Sequence, residues 1–483
     1  MLKGTTKIEL TDVNTGEVQV IEKHNSITGA LQELFNPVLG HLTNNTTLSN
    51  ALPAYNTFLG GLLLFDSEIK GNPLPLYAPE TAKLIGCARY NTQNSKGGIY
   101  FGSYDATESS VSADTKTAKL VYNFTQSQAN GTIGSICLTH ANGGYGVYRS
   151  DFSNKVVAQK LGVSLFSTPY IKLARDERDR SRSIYSYSDK EHLVAIDLEN
   201  DCAHYFRLTS ATTIVMVKRR IGLKKFSIFG QTASIIGEPV TLNLSISLKD
   251  SSNYYSFDTE TNTLYIFGQQ SSQVAVNASF SVTAITLDSY VVTQQTLKNI
   301  HTQFLYAQGY AYRGRVYTLD GGTTATVNGK AATKYRVLSF SLATGELAIH
   351  GEVISPNSTV SHIPMYAADG RLYWQAGYDS SAPNMGGLWV TDCTATPDAT
   401  NTTLCGVDGI DFYYGDVYYP VGCTPVLNHP MLMYLSQEQR GGTSYSQGFC
   451  FLAHYLATIN NLATPIFKSP TQTMKITYTI TEI

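Results

Sequence analysis

The side chains of this 483-residue chain that could do chemistry are few and scattered. Cleaving a glycosidic bond needs two carboxyl groups flanking it, roughly 5–9.5 Å apart. The sets on offer are Asp66 with Glu68 in LLLFDSEI, and Asp176, Glu177 and Asp179 in RDERDRSR. Asp66 and Glu68, two residues apart, would share one face of a strand. The second set alternates sign with Arg175, Arg178, Arg180 and Arg182 and reads as a self-neutralising surface strip. His140, His192 and His362 have no metal-ligand neighbours at helical spacing, so they read as ordinary surface or core imidazoles. The stretch DTETNTLY (258–265) has the closely spaced oxygens of a calcium loop but lacks its Gly and closing Glu. A β-turn fits it better. No G-x-x-x-x-G-K-[ST], G-x-S-x-G or H-E-x-x-H is present. No catalytic residue, metal ligand or cofactor is expected, and the chain is not read as an enzyme.

Aromatic residues carry the remaining hint of function. The chain has 32 Tyr, and Tyr and Trp offer rigid contact area with a polar tip, useful at interfaces and against sugar rings. Tyr373, Trp374, Tyr378 and Trp389 cluster around the loop SSAPNMGG (380–387), and Tyr413, Tyr414, Tyr418 and Tyr419 follow. Strand alternation would send about half of them into a core. The best basic run, Lys218, Arg219, Arg220, Lys224 and Lys225, reads as a guarded strand edge. With 35 basic against 37 acidic side chains, no nucleic-acid track is expected.

Elements must now position these groups. Only 15% of residues are charged, and Thr, Ser, Asn, Gly and Tyr take their place, which suits pleated, half-buried surfaces. This is an all-β composition. No apolar stretch approaches the roughly 18 residues of a membrane span, and the polar, alternating start has no apolar core of a signal peptide. Seven cysteines with no C-x-x-C pair read as buried small hydrophobes of a chain folded in a reducing cytoplasm.

Ile8 and Leu10 alternate with charged residues, DVNTGE (12–17) supplies a turn, and Val18 and Val20 resume: a hairpin. Helices are expected over Thr28 to Leu34 and over 450–462, the latter from the stripe Phe451, Leu452, Tyr455, Leu456 and Ile459. The ending TMKITYTITEI (473–483) puts Ile476, Tyr478 and Ile480 on one face. A strand this regular needs a partner, and the N-terminal hairpin is the obvious one. Both ends are therefore expected to co-fold into a small α+β anchor, residues 1–150 with 440–483.

Between them, residues 155–437 carry a weak repeat. GYAYRGRVYTLDGG, MYAADGRLYWQAG and DFYYGDVYYPVG each place a Gly turn, at 314, 370 and 415, before an alternating strand. A second pattern recurs in HLVAIDLENDCAHYFRL, YYSFDTETNTLYIFG and YRVLSFSLATGELAIHG. Hairpins at such intervals suggest a β-propeller-like body of about five to six blades. Tandem β-sandwiches are the alternative.

Several segments resemble a known group. They are KGTTKIELTDVNTGEVQVIEKHN, GGLLLFDSEI with LIGCARY, GSYDATESS leading to LVYNFTQSQANGTIGSICLTHANGG, and NNLATPIFKSPTQTMKITYTITEI. Together, in this order, they resemble tail-associated structural proteins (baseplate or receptor-binding-like) of phages and prophages of Gram-positive, gut-type bacteria. The resemblance covers roughly 1–145 and 440–483. It implies a virion protein assembled in the host cytoplasm, docked to other tail or baseplate proteins as a homo-oligomer. A body rich in aromatics adds host-surface glycan binding as an expectation. A head or neck decoration protein and a polysaccharide depolymerase are the alternatives.

Overall fold

Alternation at both ends of the chain leaves two strands in search of a neighbour, and in the computed structural model they pair with each other. The structure describes residues 2–28, 59–69, 82–93, 98–112, 114–139, 155–156, 158–160, 183–184, 187, 190–221, 235–248, 253–269, 277–301, 303–306, 309–327, 330–355, 360–368, 371–376, 388–392, 402–403, 419–428, 432–440, 443–445, 448–452 and 456–482. The chain divides into two compact units, Met1–Gln159 with Leu452–Ile483, and Lys160–Phe451.

Ten strands build the first unit: β1 (Leu2–Asp12), β2 (Val18–Ile27), β3 (Gly61–Phe65), β4 (Leu84–Arg89), β5 (Ser103–Tyr104), β6 (Ser110–Ser112), β7 (Thr117–Phe124), β8 (Gly131–Thr139), β33 (Thr458–Lys468) and β34 (Gln472–Glu482). Their order is β4-β3-β8-β33-β2-β1-β34-β7-β5, with β6 on β7. The path nearly closes: the Cys87 N–H of β4 donates to Tyr100 C=O at 2.8 Å, and Cys87 C=O accepts from Gly102 N–H at 2.9 Å, just before β5. The result is a barrel-like antiparallel sheet of nine strands.

Register explains its core. Opposed residues of β1, β34 and β7 form the rows Gly4–Ile480–Ala118, Thr6–Tyr478–Leu120, Ile8–Ile476–Tyr122 and Leu10–Met474–Phe124. A period of two sends all of one row set to the same face. Ile8, Leu10, Ile476, Tyr478 and Ile480 are all at most 1% exposed, each burial of an aliphatic side chain contributing about 1.5–3 kcal/mol. The turn after β1 is held by Asp12, whose Oδ1 accepts from Asn14 and Thr15 N–H at 2.9 and 3.0 Å. Gly16, at φ +72°, supplies the left-handed residue that this turn needs. One seam is thin. Among the described residues β2 meets β33 only at Ser26–Ile459 and Ile27–Thr458.

The expected α+β character needs correction. Residues 29–34 of the first expected helix lie outside the described residues, and the Thr28 hydroxyl donates to the Leu456 and Ala457 carbonyls. The helix expected over 450–462 is not there: β32 (Gly448–Leu452) and the start of β33 occupy it. Thr458 and Ile459 pair with Leu138 and Cys137 of β8. Helical spacing of apolar residues gives way because a barrel edge offers these β-branched residues a ladder and a core, whereas one short helix is marginal alone.

In the second unit the strands fall into successive antiparallel sheets. Two short strands, β9 (Lys155–Val156) and β10 (Ala158–Lys160), precede it in the chain, with residues 155–159 counted in the first unit. One sheet runs β12 (His192–Asp197), β13 (Cys202–Ser210), β14 (Thr213–Arg220), β15 (Val240–Asn243). The next runs β11 (Ser183–Ile184), β16 (Asn253–Asp258), β17 (Thr263–Gln269), β18 (Asn277–Thr286), β19 (Val292–His301), and a one-turn helix α1 (Gln303–Tyr306) follows. The third has β20 (Tyr310–Tyr312), β21 (Arg315–Leu319), β23 (Lys330–Ser341), β24 (Leu347–Ser355) and β28 (Thr402–Thr403), with β22 (Thr323–Val327) on β23. The fourth contains β25 (Val360–Ala368), β26 (Arg371–Ala376) and β27 (Leu388–Asp392). The fifth contains β29 (Tyr419–Pro425), β30 (Leu432–Arg440) and β32, with β31 (Thr443–Tyr445) on β30. The repeated sequence patterns are hairpins: β12–β13, β16–β17, β20–β21, β23–β24 and β25–β26. Residues 411–418 of the third Gly-turn segment lie outside the described residues.

Neighbouring residues on one strand serve different cores. Tyr255 and Phe257 of β16 pack with Phe206 and Ile214 of the preceding sheet. Tyr254, pointing the other way, packs with Ala311, Val316 and Phe340 of the following one. Tyr310 and Tyr312 repeat the device on β20, meeting Ala367 and Leu372 of β25 and β26. These sheets are therefore buried on both faces. Their leading strands touch in sequence, β12 with β16, β16 with β20, β20 with β25, β25 with β29, and β29 with β12. The last contact includes a hydrogen bond from Leu427 N–H to Ile196 C=O at 2.8 Å.

Candidate functional site

The aromatic residues singled out from sequence are only partly gathered. Tyr373 and Trp374 lie on β26 and Trp389 on β27, where Trp374 stands opposite Trp389 and Tyr373 opposite Val390. Tyr378, Tyr413 and Tyr414 lie outside the described residues.

The carboxylate candidates come apart. Asp66 and Glu68 follow the end of β3 and so share no strand face. Asp66 Oδ1 instead accepts from Lys83 N–H at 3.0 Å, and Asp66 N–H donates to Lys83 C=O at 3.0 Å. Residues 175–182 lie outside the described residues. In the stretch that resembled a calcium loop, Asp258 Oδ1 accepts from Glu260 N–H at 3.0 Å and Oδ2 from Arg313 N–H at 3.0 Å. Arg313 Nε lies 2.8 Å from Glu260, and Tyr312 bonds the same carboxylate. Burial raises the Asp258 carboxyl. At Glu260 burial pulls the same way, but the bonds from Arg313 and Tyr312 win and lower it. This stretch fastens two hairpins. The basic run is divided too: Arg219 grips Glu191 through two bonds of 2.6 and 2.8 Å, and the Lys218 ammonium lies 5.6 Å above the Tyr290 ring.

The structure gathers a different set. Asp197 closes β12, Cys202 opens β13, and the two are direct partners across the hairpin. His204, two residues on, lies on the same face as Cys202. Asp197 shapes the turn, accepting from Asn200 N–H at 2.9 Å and from Asn200 Nδ2 at 2.6 Å. Asp201 completes it at φ +55°. One ligand-type atom from each of Asp197, Cys202 and His204 lies within 4.8 Å of the others. Asp197, Cys202 and His204 are 9, 3 and 5% exposed. Cys202 Sγ is 3.8 Å from His204 Nε2, and His204 Nδ1 has no hydrogen-bond partner.

Burial, reinforced by Asp197, pushes the Cys202 thiol up to about 11. Burial and the nearby Lys218 charge push His204 down to about 4. Burial thus keeps a thiol and a neutral imidazole side by side, with the Asp197 side chain in reach. Such a group can share a proton internally or hold a cation.

No protein-family model matches the chain, and no curated protein matches it. The trio has neither a C-x-x-C pair nor helical His spacing, so those patterns do not reveal it. The usable signal is D-x-x-x-x-C-x-H across a D-x-x-N-D turn, since strand periodicity places residues i and i+2 together.

Proposed function

We propose that this chain is a structural protein of a phage tail or baseplate, with its barrel as the particle-docking base. The carrying observation is that both chain ends close one barrel-like sheet, Ile8 opposite Ile476, while a separate unit is built from the residues between them. Such a plan keeps a docking surface constant while the inserted body varies. It suits an adhesin, and it agrees with the terminal segments that resemble tail proteins. The base would bind other tail or baseplate proteins as a homo-oligomer around the tail axis.

The inserted body is proposed to be a five-bladed propeller. Five successive sheets, buried faces on both sides and leading strands that touch in cyclic order support this reading. The body would meet a host-surface glycan through aromatic positions including Tyr373, Trp374 and Trp389, many weak copies giving avidity. Gold-labelled antibodies to the chain should mark the distal tail of the particle. The full chain displayed multivalently should bind host envelopes and compete with phage adsorption. Labelling confined to the head or neck would sink the proposal.

A further inference from the structure

We propose that Asp197, Cys202 and His204 form a metal site for a zinc-class divalent ion, stapling the β12–β13 hairpin. The ligand set is the one zinc takes: a thiolate, an imidazole and a carboxylate, with a fourth position left for water or a further oxygen. Geometry fits. With Zn–S near 2.3 Å and Zn–N near 2.0–2.1 Å, tetrahedral ligands sit about 3.6 Å apart, and Cys202 Sγ lies 3.8 Å from His204 Nε2. The carboxylate oxygen falls within the same 4.8 Å cluster.

Charge fits as well. One carboxylate and one thiolate neutralise a dication, and binding releases the thiol proton to solvent. His204 is only 5% exposed, and Nε2, the nitrogen beside Cys202 Sγ, is the one placed to ligate. The surrounding groups are named by the fold: Lys218 stands opposite His204 and Arg220 opposite Cys202 on β14, while the charge of Asp288 is felt at His204. The Lys218 ammonium also lies 5.6 Å above the Tyr290 ring.

The untagged full chain, freed of metal and then dialysed against buffered zinc, should retain one equivalent. X-ray absorption at the zinc edge should show one sulfur near 2.3 Å with lighter ligands near 2.0 Å. Cobalt in place of zinc should give a thiolate charge-transfer band that Cys202→Ser removes. Affinity for zinc should fall at least tenfold in Cys202→Ser and in His204→Gln. If Cys202→Ser does not fold, the wild-type absorption spectrum decides alone. A folded chain that keeps no zinc, a site with only oxygen and nitrogen or with several sulfurs, or a cobalt band unchanged in Cys202→Ser would overturn the assignment.

Discussion

The two units solve the same problem, burying β-strands, with opposite economies of sequence. In the barrel the decisive neighbours are far apart in the chain: β1 lies between β2, its hairpin partner, and β34, some 460 residues away. In the second unit most partners are consecutive strands joined by short turns, as in β12-β13-β14-β15. Local pairing costs little loop entropy and forms early, whereas the closure of β1 on β34 must await a long-range encounter. Burial differs in kind as well. The β1 and β34 rows hide one face and leave the alternate residues part-exposed, while β16 hides Tyr254 and Tyr255 on opposite faces.

The contrast can be broken most forcefully at its long-range joint. Ile476→Asp places a carboxylate in the Ile8–Ile476–Tyr122 row and should cost about 4 kcal/mol or more. Hydrogen exchange should then rise across β1, β7 and β34 while β12–β19 stay protected. Loss of protection in both units together would show that they do not unfold separately. The reciprocal change, Phe206→Ala, removes a ring shared between two sheets and should cost about 3–5 kcal/mol, with exchange rising in β12–β17 and little change in the barrel.

A smaller effect comes from acid. His350 is pushed down to about 4 by burial and by the Arg315 charge, and its Nε2 lies 2.5 Å from Ser339 Oγ, which also accepts from Arg315 Nε at 2.7 Å. The unfolded histidine, with a pKa near 6.5, binds its proton first. Stability is therefore fully present above about 6.5 and is lost as pH falls toward 4. Melting followed from pH 7 to 4 should show His350→Gln less acid-sensitive than the wild type. The smallest effect is expected at Lys475, whose exposed pair with Glu108 at 2.8 Å is worth about 0–1 kcal/mol. Lys475→Ala should barely move the melting temperature, and less still in high salt.

Legibility in the sequence followed locality. The first hairpin, the final strand and several second-unit hairpins could be read because period two and turn chemistry act within a few residues, as at Asp12–Gly16. The terminal pairing could be guessed from an unpartnered strand. What could not be read was how Thr458 and Ile459 would be claimed by β8, so helical spacing misled. Trp374 opposite Trp389 needed a register that no local pattern sets. The Asp197–Cys202–His204 trio was hidden for a related reason: its members flank a turn, and only the folded hairpin brings the first within reach of the last.

The thin seam beside β2 has a practical consequence. From Val18 to Asn25 this strand has one bonded side among the described residues, and Val18 and Val20 are each 49% exposed. A strand side left unpaired among the described residues is a template on which another molecule can stack. Glu22, Lys23 and His24 interrupt it with charge and bulk, and they act as sentries for solubility. Replacing them with Thr or Val would invite head-on association and turbid preparations long before the barrel itself lost its shape.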